Sequence, residues 1–178
     1  MRYFLLMLAV GMGQSVLAAD EVVIKDPIVE KAIRKSLKKP EGELTEEDLE
    51  KVTSLDLRAT LITDTGVKEV TKLQKLESLV LNVTQITDAG LKDVAKLQEL
   101  GYLWLPDTKI TDAGLKEVAK LKQLTTLSLT DTKITDAGLK DVAKLQQLTK
   151  LDLRYTQITD AGVAELKKAL PKCGIGGP

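Results

Sequence analysis

Histidine is missing from this chain of 178 residues, and cysteine occurs once, at Cys173. Without imidazole, Ser-His-Asp triads and Cys-His dyads cannot be assembled, and one thiol leaves too few soft ligands for a zinc site. No internal disulfide is possible either. Cys173 lacks a general base to activate it and reads as a packed, inert thiol in the terminal LPKCGI segment. An excess of either charge is also missing. The 26 basic and 26 acidic residues cancel and are interleaved, which leaves no electrostatic footprint for nucleic acid or an acidic membrane surface. Neither partner is expected, nor any metal or cofactor.

What is present is a period. The sentence LGYLWLPDTKITDAGLKEVAKLKQ, residues 100–123, is written five times without insertion, beginning at Val52, Leu76, Leu100, Leu124 and Leu148. Self-similarity at a fixed spacing of this length marks one supersecondary unit stacked on copies of itself. The first half of each copy, LxxLxLxxT, alternates apolar and polar residues with period two, as in Leu100, Leu103 and Leu105, and describes a short half-buried strand. The second half, ITDAGLKxVAKL, has helical spacing: Leu115, Val118, Ala119 and Leu121 share a face while Lys116, Glu117 and Lys120 turn to water. Thr111 is placed to cap the first free amides and Asp112 to set negative charge against the helix start, and Thr87, Thr135 and Thr159 repeat the signal. Stacked strand-helix units bury Leu, Ile and Val against one another and line up their strands in one parallel sheet.

The motif LxxLxLxxT followed by ITDAGL resembles a leucine-rich repeat, of the helical variety found in ribonuclease-inhibitor-like and cysteine-containing repeats. The resemblance covers residues 52–172, about two thirds of the chain. It implies an α/β solenoid, right-handed and curved, with the parallel sheet on the concave side and helices on the convex side. The usual Asn or Cys at the ninth position is Thr here, at Thr60, Thr84, Thr108, Thr132 and Thr156. A buried hydroxyl in every copy is suited to bonding turn backbone that would otherwise go unsatisfied.

The ends differ from the repeats. Residues 1–19 carry Arg2, an apolar run over residues 3–12 and the small residues Val16, Ala18 and Ala19 around Leu17, the pattern of a signal peptide cleaved after Ala18 or Ala19. That run is too short to span a bilayer, which takes about 20 apolar residues. Residues 20–51 read as a helical N-terminal cap. Asp26 and Pro27 start a helix whose apolar stripe is Ile28, Ala32, Ile33 and Leu37, Pro40 and Gly42 end it, and Thr45 with Asp48 opens a second. The pattern is similar to the helical caps of internalin-like bacterial leucine-rich proteins, which implies a bacterial, exported binding protein. In the last copy Lys167 replaces a small residue and Leu170-Pro171 stops the helix, so residues 173–178, ending GIGGP, are expected to fray.

The functional expectation is a non-enzymatic, extracytoplasmic, monomeric module that binds a protein, or a short glycan, on its concave face. Mature chain contains only three aromatics, Tyr102, Trp104 and Tyr155. Alternation buries Leu103 and Leu105 and turns Tyr102 and Trp104 outward, between Ser78, Val80 and Asn82 on one side and Thr126, Ser128 and Thr130 on the other. Asp152, Arg154 and Tyr155 extend the candidate surface. Asp107 and Asp131 hold one repeat position on neighbouring strands and could imitate the paired carboxylates of a glycan hydrolase. The other alternative is a structural envelope component. The Asp64, Asp88, Asp112, Asp136 and Asp160 column could suggest calcium, but each side chain is explained by its own helix start. Export is directly testable: N-terminal sequencing of protein recovered from the producing cell should read Ala19 or Asp20 as the first residue, and an intact Met1 in a cytosolic fraction would contradict it.

Overall fold

A computed structural model describes residues 21–177. The signal segment expected over residues 1–19 and its expected cleavage site lie outside the described residues. Two cap helices, α1 (Pro27–Leu37) and α2 (Glu46–Glu50), precede five strand-helix units: β1 (Ser54–Asp56) with α3 (Asp64–Val70), β2 (Ser78–Val80) with α4 (Asp88–Val94), β3 (Tyr102–Trp104) with α5 (Asp112–Val118), β4 (Thr126–Ser128) with α6 (Asp136–Val142), and β5 (Lys150–Asp152) with α7 (Asp160–Ala169). A last strand, β6 (Gly174–Gly176), follows. The strands form one parallel sheet in chain order, the α/β solenoid that the repeat implies.

Register is set by the buried leucines. Leu55, Leu79, Leu103, Leu127 and Leu151 are successive partners across the sheet, and all five are buried. At about 1.5 to 3 kcal/mol for each fully buried Leu, a one-residue slip would move this row to the solvent face and is strongly disfavoured. Each strand ends in a turn closed by the Thr of position nine. The Thr84, Thr108 and Thr132 hydroxyls donate to the carbonyls of Leu81, Leu105 and Leu129 at 2.7, 2.7 and 2.6 Å, and Thr60 and Thr156 do the same for Leu57 and Leu153. The hydroxyl column therefore satisfies turn carbonyls, one within each copy.

The helix starts are joined from copy to copy. Asp64 Oδ1 accepts the Thr87 N–H at 2.9 Å and Asp64 Oδ2 accepts the Thr87 hydroxyl at 2.6 Å, while that same hydroxyl oxygen accepts the Ala89 N–H. Asp88 with Thr111, Asp112 with Thr135 and Asp136 with Thr159 repeat the arrangement. At the last of these, the Thr159 hydroxyl and amide hold the Asp136 carboxyl below its ordinary range. The aspartates thus act on the next repeat's helix start, a step beyond the local role expected of them. Their carboxylates also lie over the next glycine: a Cβ on Gly90 would stand 2.5 Å from Asp64 Oδ1. Gly66, Gly114, Gly138 and Gly162 meet the preceding aspartate in the same way, and for Gly66 that aspartate is Asp26 of the cap.

Asp26 also caps α1, accepting the Ile28 and Val29 N–H groups, with Pro27 in the first turn. Val29 and Ile33 carry α1's fully buried contacts, with Ile28, Ala32 and Leu37 packed at the margin. The Thr45–Asp48 capping box of α2 forms. At the other end, the expected fraying of GIGGP is corrected. Gly174–Gly176 pairs with β5, and Ile175 partners Leu151. Ile175 follows Leu151 by one repeat length, so it supplies the strand residue of a partial further copy and continues the ladder instead of leaving it open. Cys173 beside it is buried, and burial pushes its thiol above the ordinary value.

These contacts give a reversal of the usual helix rule. Alanine is normally the better helix former by about 1 kcal/mol, yet Gly114→Ala should destabilise by about 1 to 3 kcal/mol because the methyl overlaps the Asp88 carboxylate. In an Asp88→Ala background the cost of the same change should fall markedly, since the one close contact left, Leu91 Cδ1 at 2.8 Å, is the end of a flexible side chain. Denaturant midpoints of the four chains in this cycle check both statements, and a stabilised Gly114→Ala single variant would remove the steric account.

Candidate functional site

Because successive side chains of a strand alternate, the leucine row on one face fixes a second, outward row on the other. The register brings Ser78 beside Tyr102, Tyr102 beside Thr126, Val80 beside Trp104 and Trp104 beside Ser128. Tyr102 and Trp104, two residues apart on β3, stack with ring centroids 5.6 Å apart and planes inclined by 2°. Both rings are half-buried, as are Ser78, Val80, Asn82, Thr126 and Thr130. The sequence-predicted face is therefore assembled at its centre.

Two of its expected members are less accessible than alternation alone implies. Ser128 is fully buried and Asp152 nearly so. Ser128 lies between Trp104 and Asp152 in the register, and its hydroxyl shares a hydrogen bond with Thr130 at 3.2 Å. Asp152 is fixed by Arg154, whose Nε and Nη2 donate to its two oxygens at 2.9 and 2.6 Å. That guanidinium holds the Asp152 carboxyl below the usual carboxylate range, against a smaller opposing effect of burial. Ser128 and Asp152 are consequently supports of the face, while Arg154 is its exposed part.

An equivalent ion pair stands at the sheet's other end, in the first repeat. Arg58 Nε donates to Asp56 Oδ1 and Oδ2 at 2.9 and 2.8 Å, and Arg58 lowers the Asp56 carboxyl in the same manner. Sequence reasoning did not single out this pair, although Asp56 and Arg58 precede Asp152 and Arg154 by a whole number of repeats. Asp107, Asp131 and Tyr155 lie apart from the sheet, on the exposed turns after β3, β4 and β5, with φ of 52°, 54° and 60°. A left-handed backbone favours Asp and Asn among residues with side chains, which gives Asp107 and Asp131 a conformational reason to be there.

Asp152 carries a pH consequence. Its folded-state value is depressed, so its contribution to stability is present above the ordinary carboxylate value of about 4 and is lost as pH falls through the folded value. Between pH 6 and pH 3, as an order-of-magnitude window set by those values, the denaturant midpoint of Asp152→Asn should fall less than that of the parent chain, with the variant less stable at the upper end. Equal acid limbs in the two titrations would show that the ion pair is not coupled to folding.

Comparison with known proteins agrees with this architecture. The model described as Leucine Rich repeat matches residues 72–95, 121–143 and 144–167. A leucine-rich repeat protein of Leptospira interrogans is similar over 75% of this chain and 33% of its own, at 29% identity and a TM-score of 0.57. An internalin of Listeria monocytogenes is similar over 90% of this chain and 59% of its own, at 23% identity and a TM-score of 0.54. A plant peptide hormone receptor, solved in complex with RGF2, shares the fold over 75% of this chain and 22% of its own, at 22% identity and a TM-score of 0.50. The chain thus spans about a third of the Leptospira protein and three fifths of the internalin. No curated protein matches it. The matched repeats, an unbroken register and a parallel strand-helix stack in chain order make this chain a solenoid of leucine-rich repeats.

Proposed function

We propose that this chain is an exported, non-enzymatic bacterial module that holds a protein partner on the concave face of its sheet. In this reading residues 1–19 are a removable export signal, 20–51 a protective cap, 52–172 the presenting repeats and 173–178 a short terminal segment. The observation that carries the reading is the Tyr102–Trp104 stack, half exposed among short side chains. Large aromatic groups that keep an open surface inside a small-polar field are the usual composition of an interface anchor. Six strands at normal spacing span only about 24 Å, which suits a compact epitope. The flat stack also suits a short glycan, the alternative ligand. Among the described residues no helix is long and apolar enough to cross a membrane.

The anchor can be removed without touching the leucine row. Trp104→Ala should weaken capture of the partner from extracytoplasmic extract by at least about 2 kcal/mol, while leaving the melting behaviour nearly unchanged. Full retention of binding by the folded variant, with loss instead on Lys92→Ala or Lys116→Ala, would move the site to the convex helices and overturn the proposal. A hydrolytic role for Asp107 and Asp131 is separated by Asn replacement at both: a binder keeps its partner and an enzyme loses turnover.

A further inference from the structure

We propose a second binding site, in the groove where α1 runs along the outer edge of β1, that takes an acidic peptide bearing an aliphatic side chain. The groove is a recess of about 590 Å³. Its apolar wall is Ile28 and Ala32 of α1 above the buried Leu57 at the end of β1, and its charged lip is Lys31, Lys35 and Arg58 with the Asp56 carboxylate among them. The Ser36 hydroxyl donates to the Ser54 carbonyl at 3.1 Å, so α1 is tied to the strand edge and the walls are held in place.

Two features specify the occupant. Arg58 is paired with Asp56, whose carboxylate also feels Lys35. Among the described residues, however, neither Lys31 nor Lys35 has an ion-pair partner within 4 Å, so three cations against one carboxylate leave the groove an excess of positive charge. The second feature is a departure from the repeat. The position held by Gln85, Lys109, Lys133 and Gln157 in later copies is Leu61 in the first. Leu61 is 79% exposed and adjoins Thr60, which lines the recess. A polar position has therefore become apolar in the one copy that borders the cap. Cations beside an apolar wall are complementary to carboxylates flanking a Leu or Ile, whereas a bare phosphate would leave the apolar wall unused. The groove borders the outward strand face through Asp56 and Arg58, but it uses neither Tyr102 nor Trp104, so Trp104→Ala separates the two readings.

The test uses the acetylated, amidated hexapeptide Glu-Asp-Leu-Leu-Glu-Asp as probe, titrated at low salt into the full chain with the heat of binding as readout. Saturable binding is expected, with loss of signal for the same peptide carrying Lys at its acidic positions or Ser at its leucines. Lys31→Glu with Lys35→Glu should weaken binding by about tenfold or more, Leu61→Gln by roughly threefold or more, and Trp104→Ala should leave it unchanged. The three substituted side chains, Lys31, Lys35 and Leu61, are exposed, and the wild-type comparison among peptides requires no variant. No saturation up to about 1 mM, equal binding of the leucine-free peptide, or loss on Trp104→Ala alone would overturn the proposal. So would equal competition by inorganic phosphate or by phosphatidylglycerol vesicles, because either would assign the groove to anions in general.

Discussion

One carboxylate per repeat, reaching from the start of its own helix to the Thr that starts the next, is the constraint on which the other features depend. In the first four copies the Asp accepts two hydrogen bonds from the following Thr, and the Thr hydroxyl passes the interaction on to its own helix amide. Such charge-assisted bonds are shorter and stronger than neutral ones, and here they connect residues 23 positions apart. Joined at this point, consecutive helices cannot shift relative to each other without breaking both bonds. The glycine beneath the carboxylate follows from the same geometry, because a methyl there would occupy the space of an Asp oxygen. The motif Thr-Asp-Ala-Gly is therefore an inter-repeat joint, and Asp26 lets the cap approach the first glycine as though it were a preceding copy.

The joint fixes the helices, and the strand ends bring a cost of their own. Position eight of every copy is left-handed and never glycine: Ala59, Val83, Asp107, Asp131 and Tyr155 have φ between 52° and 60°. For residues with a Cβ this conformation is disfavoured by about 1 to 2 kcal/mol, and a β-branched residue such as Val83 tolerates it least. The turn nevertheless persists in all five copies. The Thr hydroxyl one residue later holds the carbonyl two residues earlier than the strained position, and the chain must leave the sheet there for Ile62, Ile86, Ile110, Ile134 and Ile158 to enter the core.

Much of this was legible in the sequence, and the rest was hidden for a definite reason. Period two against helical spacing located the strands, the helices and the aromatic pair, since these depend on residues within a few positions of each other. The partner of each Asp was not readable, because a column at fixed spacing shows that a residue recurs but not which neighbouring copy it bonds. The same limit explains Ser128, whose outward direction follows from alternation but whose burial depends on Trp104 and Asp152 in adjacent copies. For β6 the signal did exist: Ile175 keeps the spacing from Leu151, yet it stands among glycines that suggest fraying when taken locally.

Comparing the copies with one another then separates scaffold from function inside a single chain. The joint is nearly invariant, and the exposed helix position occupied by Lys68, Lys92, Lys116 and Lys140 changes only in the last copy, to Ala164. The outward strand positions vary far more, from Ser54, Asp56 and Arg58 through Tyr102, Trp104 and Pro106 to Lys150, Asp152 and Arg154, with only the Asp-Arg pair recurring in the first and last copies. Stacking explains the constant positions, because every copy must fit the same neighbour. It places no demand on outward strand side chains, so their differences record a requirement external to the fold. By the same argument Leu61, the single apolar residue in a polar column, calls for its own explanation, and the groove beside the cap is the nearest surface that can supply one.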